Sequence, residues 1–423
     1  MRTPRPITAL ILALGCLTCA PPAHAQDRPA EPDPPAEQAQ PQPDIPRPEP
    51  GPTLVVRDLF VIQADKYGER ANDPVQVRST LTTPIPDNPK WSRRRLVLDD
   101  GKGYANQPMP LGLISFQGEI KSPMTVTIEL LGEQAQVHAH YPKDAQTKEQ
   151  FIRWLSVKEA TPNQRAQPIG GGGHWLEALR GSDDRLWIAS RDPLRKERFM
   201  LYDASFAFKP ALELALNQGA YTAKSARAQS QAPPLTMLVH HRPDVGWSAN
   251  SVAGPWDGQQ AELGTKPEND DAYAPNPMPV LKPLADLLAE RGYTAVEIET
   301  ALAMVASAGL ENSSMSLVYV MPAGALDAHV RLTLKPEPDR VVRTAIVVLT
   351  NADPDLGSRI DQLIAQLGSD RWLERARAHE ALEAMGQAAI KQLQAHREDD
   401  DPEIAFRAQQ LLETYDLKTE QDR

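Results

Sequence analysis

His138 and His140 lie two residues apart in the run Ala135 to Tyr141, whose composition predicts a strand. Side chains at i and i+2 of a strand share a face, so the two imidazoles are placed as a pair of metal ligands would be. A complete site needs a third donor, and His240, His241 or the Asp183–Asp184 pair are the residues that folding would have to bring. Two histidines on the polar face of a strand need no function, so metal binding at His138 and His140 stays the alternative and no metal site is assigned.

The other chemistry-bearing clusters fall short of their motifs. Glu268, Asn269, Asp270 and Asp271 are oxygen donors, but their spacing is not that of an EF-hand and no glycine occupies its turn position. Gly170 to Gly173 before His174 lacks the GxxxxGK[ST] and GxGxxG patterns that cradle phosphate. His379-Glu380 has Glu383, not histidine, four residues on, so the HExxH zinc motif is absent. Ser248 follows Gly246-Trp247 without the GxSxG turn. Trp247 and Trp256, in loop-like surroundings, are the tryptophans best placed to stack on a sugar, whereas Trp187 lies in an apolar run and reads as core. No catalytic residue and no cofactor follow from these patterns.

Composition narrows the partners. Of 423 residues, 40 are Pro and 24 Gly, with 41% hydrophobic and 24% charged, which excludes a wholly disordered chain. A net charge of −11 argues against nucleic acid, whose phosphates need basic surface. Residues 1–25 read as a signal peptide: Arg2 and Arg5 precede the apolar stretch Ile7 to Leu17, and Ala23-His24-Ala25 before Gln26 has the small-x-small cleavage pattern. That stretch is too short to span a bilayer. Both cysteines, Cys16 and Cys19, fall inside it, and neither follows the leucine of a lipobox, so no lipid anchor is expected. The expected home is periplasmic or extracellular.

The elements divide the remaining chain. Residues 26–52 hold ten prolines and one large aliphatic residue, Ile45, and read as a disordered Pro-rich linker. Residues 53–253 read as a β-rich domain: apolar runs at Thr53 to Ile62, Arg95 to Leu98, Leu111 to Ile120, Arg198 to Phe208 and Leu235 to His240 predict strands. Met124, Val126, Ile128 and Leu130 alternate with polar residues, the period of a half-buried antiparallel strand. A short helix is expected from Thr147 to Leu155, where Thr147 and Gln150 have capping-box spacing and Phe151 and Leu155 share a face. Residues 254–279 read as an irregular linker at a domain boundary. Residues 280–352 then read as a small α/β unit: one helix ends at Gly292, Thr294 and Glu297 cap a second, and strands at Leu317 to Met321, Val330 to Lys335 and Val341 to Leu349 form a small sheet beneath them.

From 353 to 416 the chain is helical, with a tail at 417–423. Stripes at Ile360/Leu363/Ile364/Leu367, Ala378/Ala381/Leu382/Met385 and Ile404/Ala408/Leu411/Leu412 mark successive helices, and Asp401-Pro402 starts the last. A shift of 30 residues superposes Arg377-Ala378 on Arg407-Ala408. LGSDRWLERARAHEALEAMGQAAIKQL followed by DDDPEIAFRAQQLLE resembles HEAT-like repeats over about 60 residues, 356–415. The resemblance implies an α-solenoid used for protein contacts, with no chemistry of its own. VMPAGALDAHV, VVRTAIVVLTNADPDLGSRID and RFMLYDASFAF look like uncharacterised exported bacterial proteins in which β domains precede such repeats. Two units are few for this family, so their apolar stripes are expected to dock on the 281–349 region or on a partner.

The expected fold class is multidomain: a β-rich, antiparallel sandwich-like body, a small α/β unit and a C-terminal α-helical repeat. The expected function is a non-enzymatic structural or protein-interaction component of the bacterial envelope with an unidentified protein partner. The alternative is a carbohydrate- or metal-binding envelope protein, or a hydrolase with an unrecognised site.

Overall fold

The computed structural model describes residues 53–421, apart from 66–74, 77–111, 133–134, 167–174, 226–231, 257–259 and 311–312. The expected signal segment and Pro-rich linker, the Arg95 to Leu98 run and Gly170 to His174 lie outside the described residues. Two-residue bridges aside, the chain runs β1 (Val55–Asp65), β2 (Gly112–Gln117), β3 (Met124–Leu130), β4 (Gln136–Tyr141), β5 (Gln146–Lys148), β6 (Phe151–Glu159), α1 (Trp175–Arg180), β7 (Phe199–Ser205), β8 (Leu212–Asn217), β9 (Ala220–Ser225), β10 (Leu235–Arg242), β11 (Gly246–Ala253) and β12 (Gln260–Gly264). It continues through α2 (Lys282–Glu290), α3 (Ala295–Ser307), β13 (Met315–Val320), β14 (Val330–Lys335), β15 (Arg340–Thr350), α4 (Leu356–Leu367), α5 (Trp372–Met385), α6 (Ile390–Ala395) and α7 (Pro402–Gln421).

An eight-stranded sheet in the order β11-β10-β13-β15-β1-β2-β7-β4 forms the centre. Its ladders are antiparallel except for β1 and β15, which run parallel from Val55 opposite Arg340 to Asp65 opposite Thr350. Both strands are buried on two faces, which explains their near-continuous apolar runs. One face carries Leu59, Val61, Leu113, Val239, Ile346 and Val348 against α1, α2 and α3. The other carries Phe60, Ile62, Ile114, Tyr319 and Val347 against two smaller sheets, β14-β3-β6-β5 and β8-β9-β12. The body is therefore β-rich and sandwich-like, with helices closing the outer face of the large sheet.

Several boundaries differ from the expected ones. β10 and β11, before the 254–279 stretch, share the large sheet with β13 and β15 after it, and the stretch itself contains β12. The 280–352 segment therefore forms no separate sheet: β13 and β15 complete the large one, while β14 pairs with β3. Pairings across so many residues leave no local mark in the sequence. The Thr147 to Leu155 segment is a hairpin in which β5 turns back into β6, not a helix, and β6 alternates in burial. Its buried residues are Ile152, Trp154 and Val157, and left-handed Ser156 (φ 57°) shifts the alternation by one residue. Phe151 and Leu155, which suggested a helical stripe, are only half-buried. The last helix also continues through the expected tail to Gln421.

Local signals were obeyed where they act within a turn. The Thr294–Glu297 capping box starts α3. α2 ends at Gly292 with φ 79°, and a Cβ there would meet Arg57 Nη2 at 2.7 Å. β3 alternates buried and half-exposed residues as its spacing requires.

Buried charges fix the helix layer to the sheet. Glu297, at the start of α3, accepts from Arg185 Nε at 2.8 Å and Ser115 Oγ at 2.5 Å, and pairs with Arg185 Nη2. Burial pushes the Glu297 carboxyl up, but the Arg185 and Ser115 bonds outweigh it and hold the group below its ordinary value. On the opposite face Asp58, fully buried, accepts from Tyr202 Oη at 2.8 Å and Arg343 Nε at 2.9 Å.

The C-terminal helices have a core of their own. Leu356, Ile360, Ile364, Leu367, Leu382 and Leu411 belong to a cluster that shares no member with the two body clusters. The expected docking of their stripes on the 281–349 region is not found: the four helices cover one another. Gln392 Nε2 donates to Gly357 O at 2.9 Å, so α6 begins beside the beginning of α4. Arg375 Nε reaches Glu403 Oε1 at 3.2 Å and Tyr415 Oη bonds Leu382 O, which sets α5 and α7 side by side in one direction. Two helical hairpins thus stack in the same sense.

Candidate functional site

β4 carries a bulge at His138, since Asp203 pairs with Ala139 and Ala204 with Val137, so the expected common face is lost: His140 lies on the inner-core side with Val137 and Trp154, while Ala139 and Tyr141 lie on the helix-covered side and His138 turns to Ser205. His138 Nε2 contacts Ser205 Oγ at 2.8 Å, and the His140 ring meets Trp154 edge-on at 6.3 Å between centroids. Burial holds both imidazoles below their ordinary value. The proposed third donors are elsewhere. β10, with His240 and His241, is separated from β4 by five strands of the large sheet, about 29 Å at the usual strand spacing. Asp183 is exposed and lies 3.6 Å from Arg198. Among the described residues no three His, Cys, Asp or Glu side chains converge as a metal site. Asp270 of the acidic run is bonded instead by Arg242 Nη1 at 2.6 Å.

The tryptophans are not grouped either. Trp247 packs toward the helix-covered face and Trp256 toward the other core, so the large sheet separates them. His241 covers the Trp247 ring at 4.4 Å and 13°. Trp187 is half-buried rather than core, with Lys196 and Arg198 over its ring at 4.8 and 4.9 Å.

A pocket of about 240 Å³ lies beyond β4 and is lined by Tyr141, Asp144, Ser190, Asp192, Lys196 and Glu197. Glu197 is 1% exposed and accepts from Tyr141 Oη at 2.7 Å, from Arg180 Nε at 3.0 Å and from its neighbour's N–H, Arg198 N, at 3.0 Å. Burial, then the Glu197 charge, pushes the Tyr141 phenol up and keeps it protonated. Asp144 Oδ2 accepts from Ser190 Oγ at 2.6 Å and Asp192 N at 3.0 Å. The bonds to Glu197 and to Asp144 Oδ2 anchor the loop, while Asp144 Oδ1 is buried with no hydrogen-bond partner. The pocket fits a small polar molecule but offers no activated nucleophile.

The remaining feature is one that the sequence reading passed over. Trp372 and Leu373 on α5 and Phe406 on α7 are 67%, 52% and 64% exposed. Trp372 precedes Arg375 by three residues and Phe406 follows Glu403 by three, so the two aromatics flank the ion pair that joins the helices. Among the described residues nothing covers these large apolar side chains, and such surface marks contact sites. In the sequence its mark is the Trp372-Leu373 pair, which falls off the buried stripe of α5. No helix among the described residues is long and apolar enough to cross a membrane. A scan of this chain against protein-family models and a search of curated proteins each found no match.

Proposed function

We propose that the chain is an exported, non-enzymatic protein-interaction component of the bacterial cell envelope, with helices α4 to α7 as a HEAT-like contact module. The observation that carries this reading is the exposed Trp372, Leu373 and Phe406 on a module whose own core is closed. The same-sense stacking of two hairpins and the 30-residue sequence shift support the likeness to helical repeats, which present such outer faces to protein partners. Arg371 and Arg375 beside them are already paired with Glu374 and Glu403, so the apolar side chains themselves are what this face offers a partner.

Pull-down from envelope extract is the test, comparing the native protein with a Trp372→Glu/Phe406→Glu variant. A specific protein recovered by the first and lost from the second, at unchanged melting temperature, is the expected result. Equal recovery by both would remove this face from the function. Export is tested separately by intact-mass spectrometry, which is expected to find a chain starting at Gln26. A lipid mass on Cys16 or Cys19 would mean an anchored protein instead.

A further inference from the structure

His240 lies near the end of β10 on the sheet face covered by β8, β9 and β12, and it is fully buried. Neither ring nitrogen has a hydrogen-bond partner. A neutral imidazole always carries one N–H, and a protonated one carries two, so this enclosure already leaves a donor unpaired and would leave two on protonation.

The groups around the ring come from five elements. Tyr221 of β9 stands over it at 5.8 Å between ring centroids. Ser248 of β11 and Met315 of β13 are its register partners. Lys266, just beyond β12, disfavours a charge there, and Asp353, entering α4, favours one. Asp353 is already engaged, accepting from Arg359 and from Asp355 N. Burial first, and Lys266 after it, bring the His240 pKa down to about 4.

We propose that His240 is an acid-sensitive latch whose protonation releases the small sheet β8-β9-β12 from the large sheet and uncovers the apolar face between them. The ring can be charged comfortably only in water, and the element that keeps water away is the small sheet, through Tyr221. Opening would expose Leu212, Leu214, Ala223 and Leu263, which form the small sheet's side of the core. A hydrated histidine regains a pKa near 6.5, so opening takes up one proton, and the opening constant rises about 30-fold from pH 7.5 to 5 and about 150-fold to pH 4.

Hydrogen exchange of the full-length protein at pH 7.5, 5 and 4, corrected for intrinsic rates, tests this. The amides of 212–217, 220–225 and 260–264 are expected to lose protection by those factors in the native protein and to hold it in His240→Phe, which keeps a flat ring but cannot titrate. An acid response equal in both proteins, or flat protection in the native one, would overturn the latch. If His240→Phe does not fold, NMR titration of His240 in the native protein decides: a ring neutral down to about pH 4 or 5 that charges together with loss of amide protection supports the latch. A ring that titrates near its ordinary value with the sheet closed refutes it, as does charging accompanied only by Asp353 turning from Arg359 to His240.

Discussion

Replacing Arg185 with Met is expected to cost about 3–5 kcal/mol of folding stability at pH 7, because it leaves the Glu297 carboxylate buried without its cation. Both side chains are 2% exposed, so solvent cannot take over the role of either. Ser115 Oγ and Thr294 N would still donate to the carboxylate, but neither carries charge. Arg57 feels the same pair, its own guanidinium lowered by burial and then by Arg185, and it offers only partial relief. The pH dependence identifies the cause. In the native protein the Glu297 pKa is depressed, so its contribution is present at neutral pH and fades as pH falls through the folded value. In Arg185→Met the burial penalty is opposed only by the neutral donors Ser115 and Thr294 and raises that pKa, so the loss is largest at pH 7 and shrinks as pH falls toward the ordinary carboxyl value. Urea unfolding at pH 7 and pH 5 measures both. A loss independent of pH would mean that Arg185 acts by packing alone, and a double variant with Glu297→Leu should recover part of the stability.

Leu382→Asp is expected to destabilise the C-terminal module by about 4 kcal/mol or more, combining a lost core side chain with an unpaired buried charge. Leu382 is 0% exposed, and its carbonyl receives the Tyr415 hydroxyl that ties α5 to α7. Because the module's apolar cluster is separate from those of the body, the damage should stay local. Calorimetry is expected to resolve the module's transition at a markedly lower temperature while that of the β-rich body stays in place. If both move together, the helices and the body unfold as one cooperative unit despite their separate cores.

Much of the local structure was legible in the residues. Thr294 and Glu297 lie three apart and need only each other to start α3, and Gly292 ends α2 through its own backbone freedom. Asp401 accepts from Glu403 N at 2.8 Å, as a capping residue before Pro402 should. The strand at Phe151–Glu159 was hidden because the left-handed Ser156 breaks the period of two on which strand recognition depends. The candidate site was less legible. Spacing alone predicts a common face for His138 and His140, but the bulge at His138 removes it, and strand order sets His240 at the far end of the sheet.

By itself the sequence determined what nearest neighbours decide: helix caps, alternation within unbroken strands and the apolar stripes of α4, α5 and α7. The tertiary structure alone decided that β1 pairs with β15, that the stretch at 254–279 contributes β12 to a sheet, and that Glu297 meets Arg185 across 112 residues. The physical reason is that capping and periodicity act over a few residues of one segment, whereas sheet order and buried ion pairs depend on how the apolar faces of many segments cover one another. Several orders satisfy the same local pattern, and only the assembled core selects one.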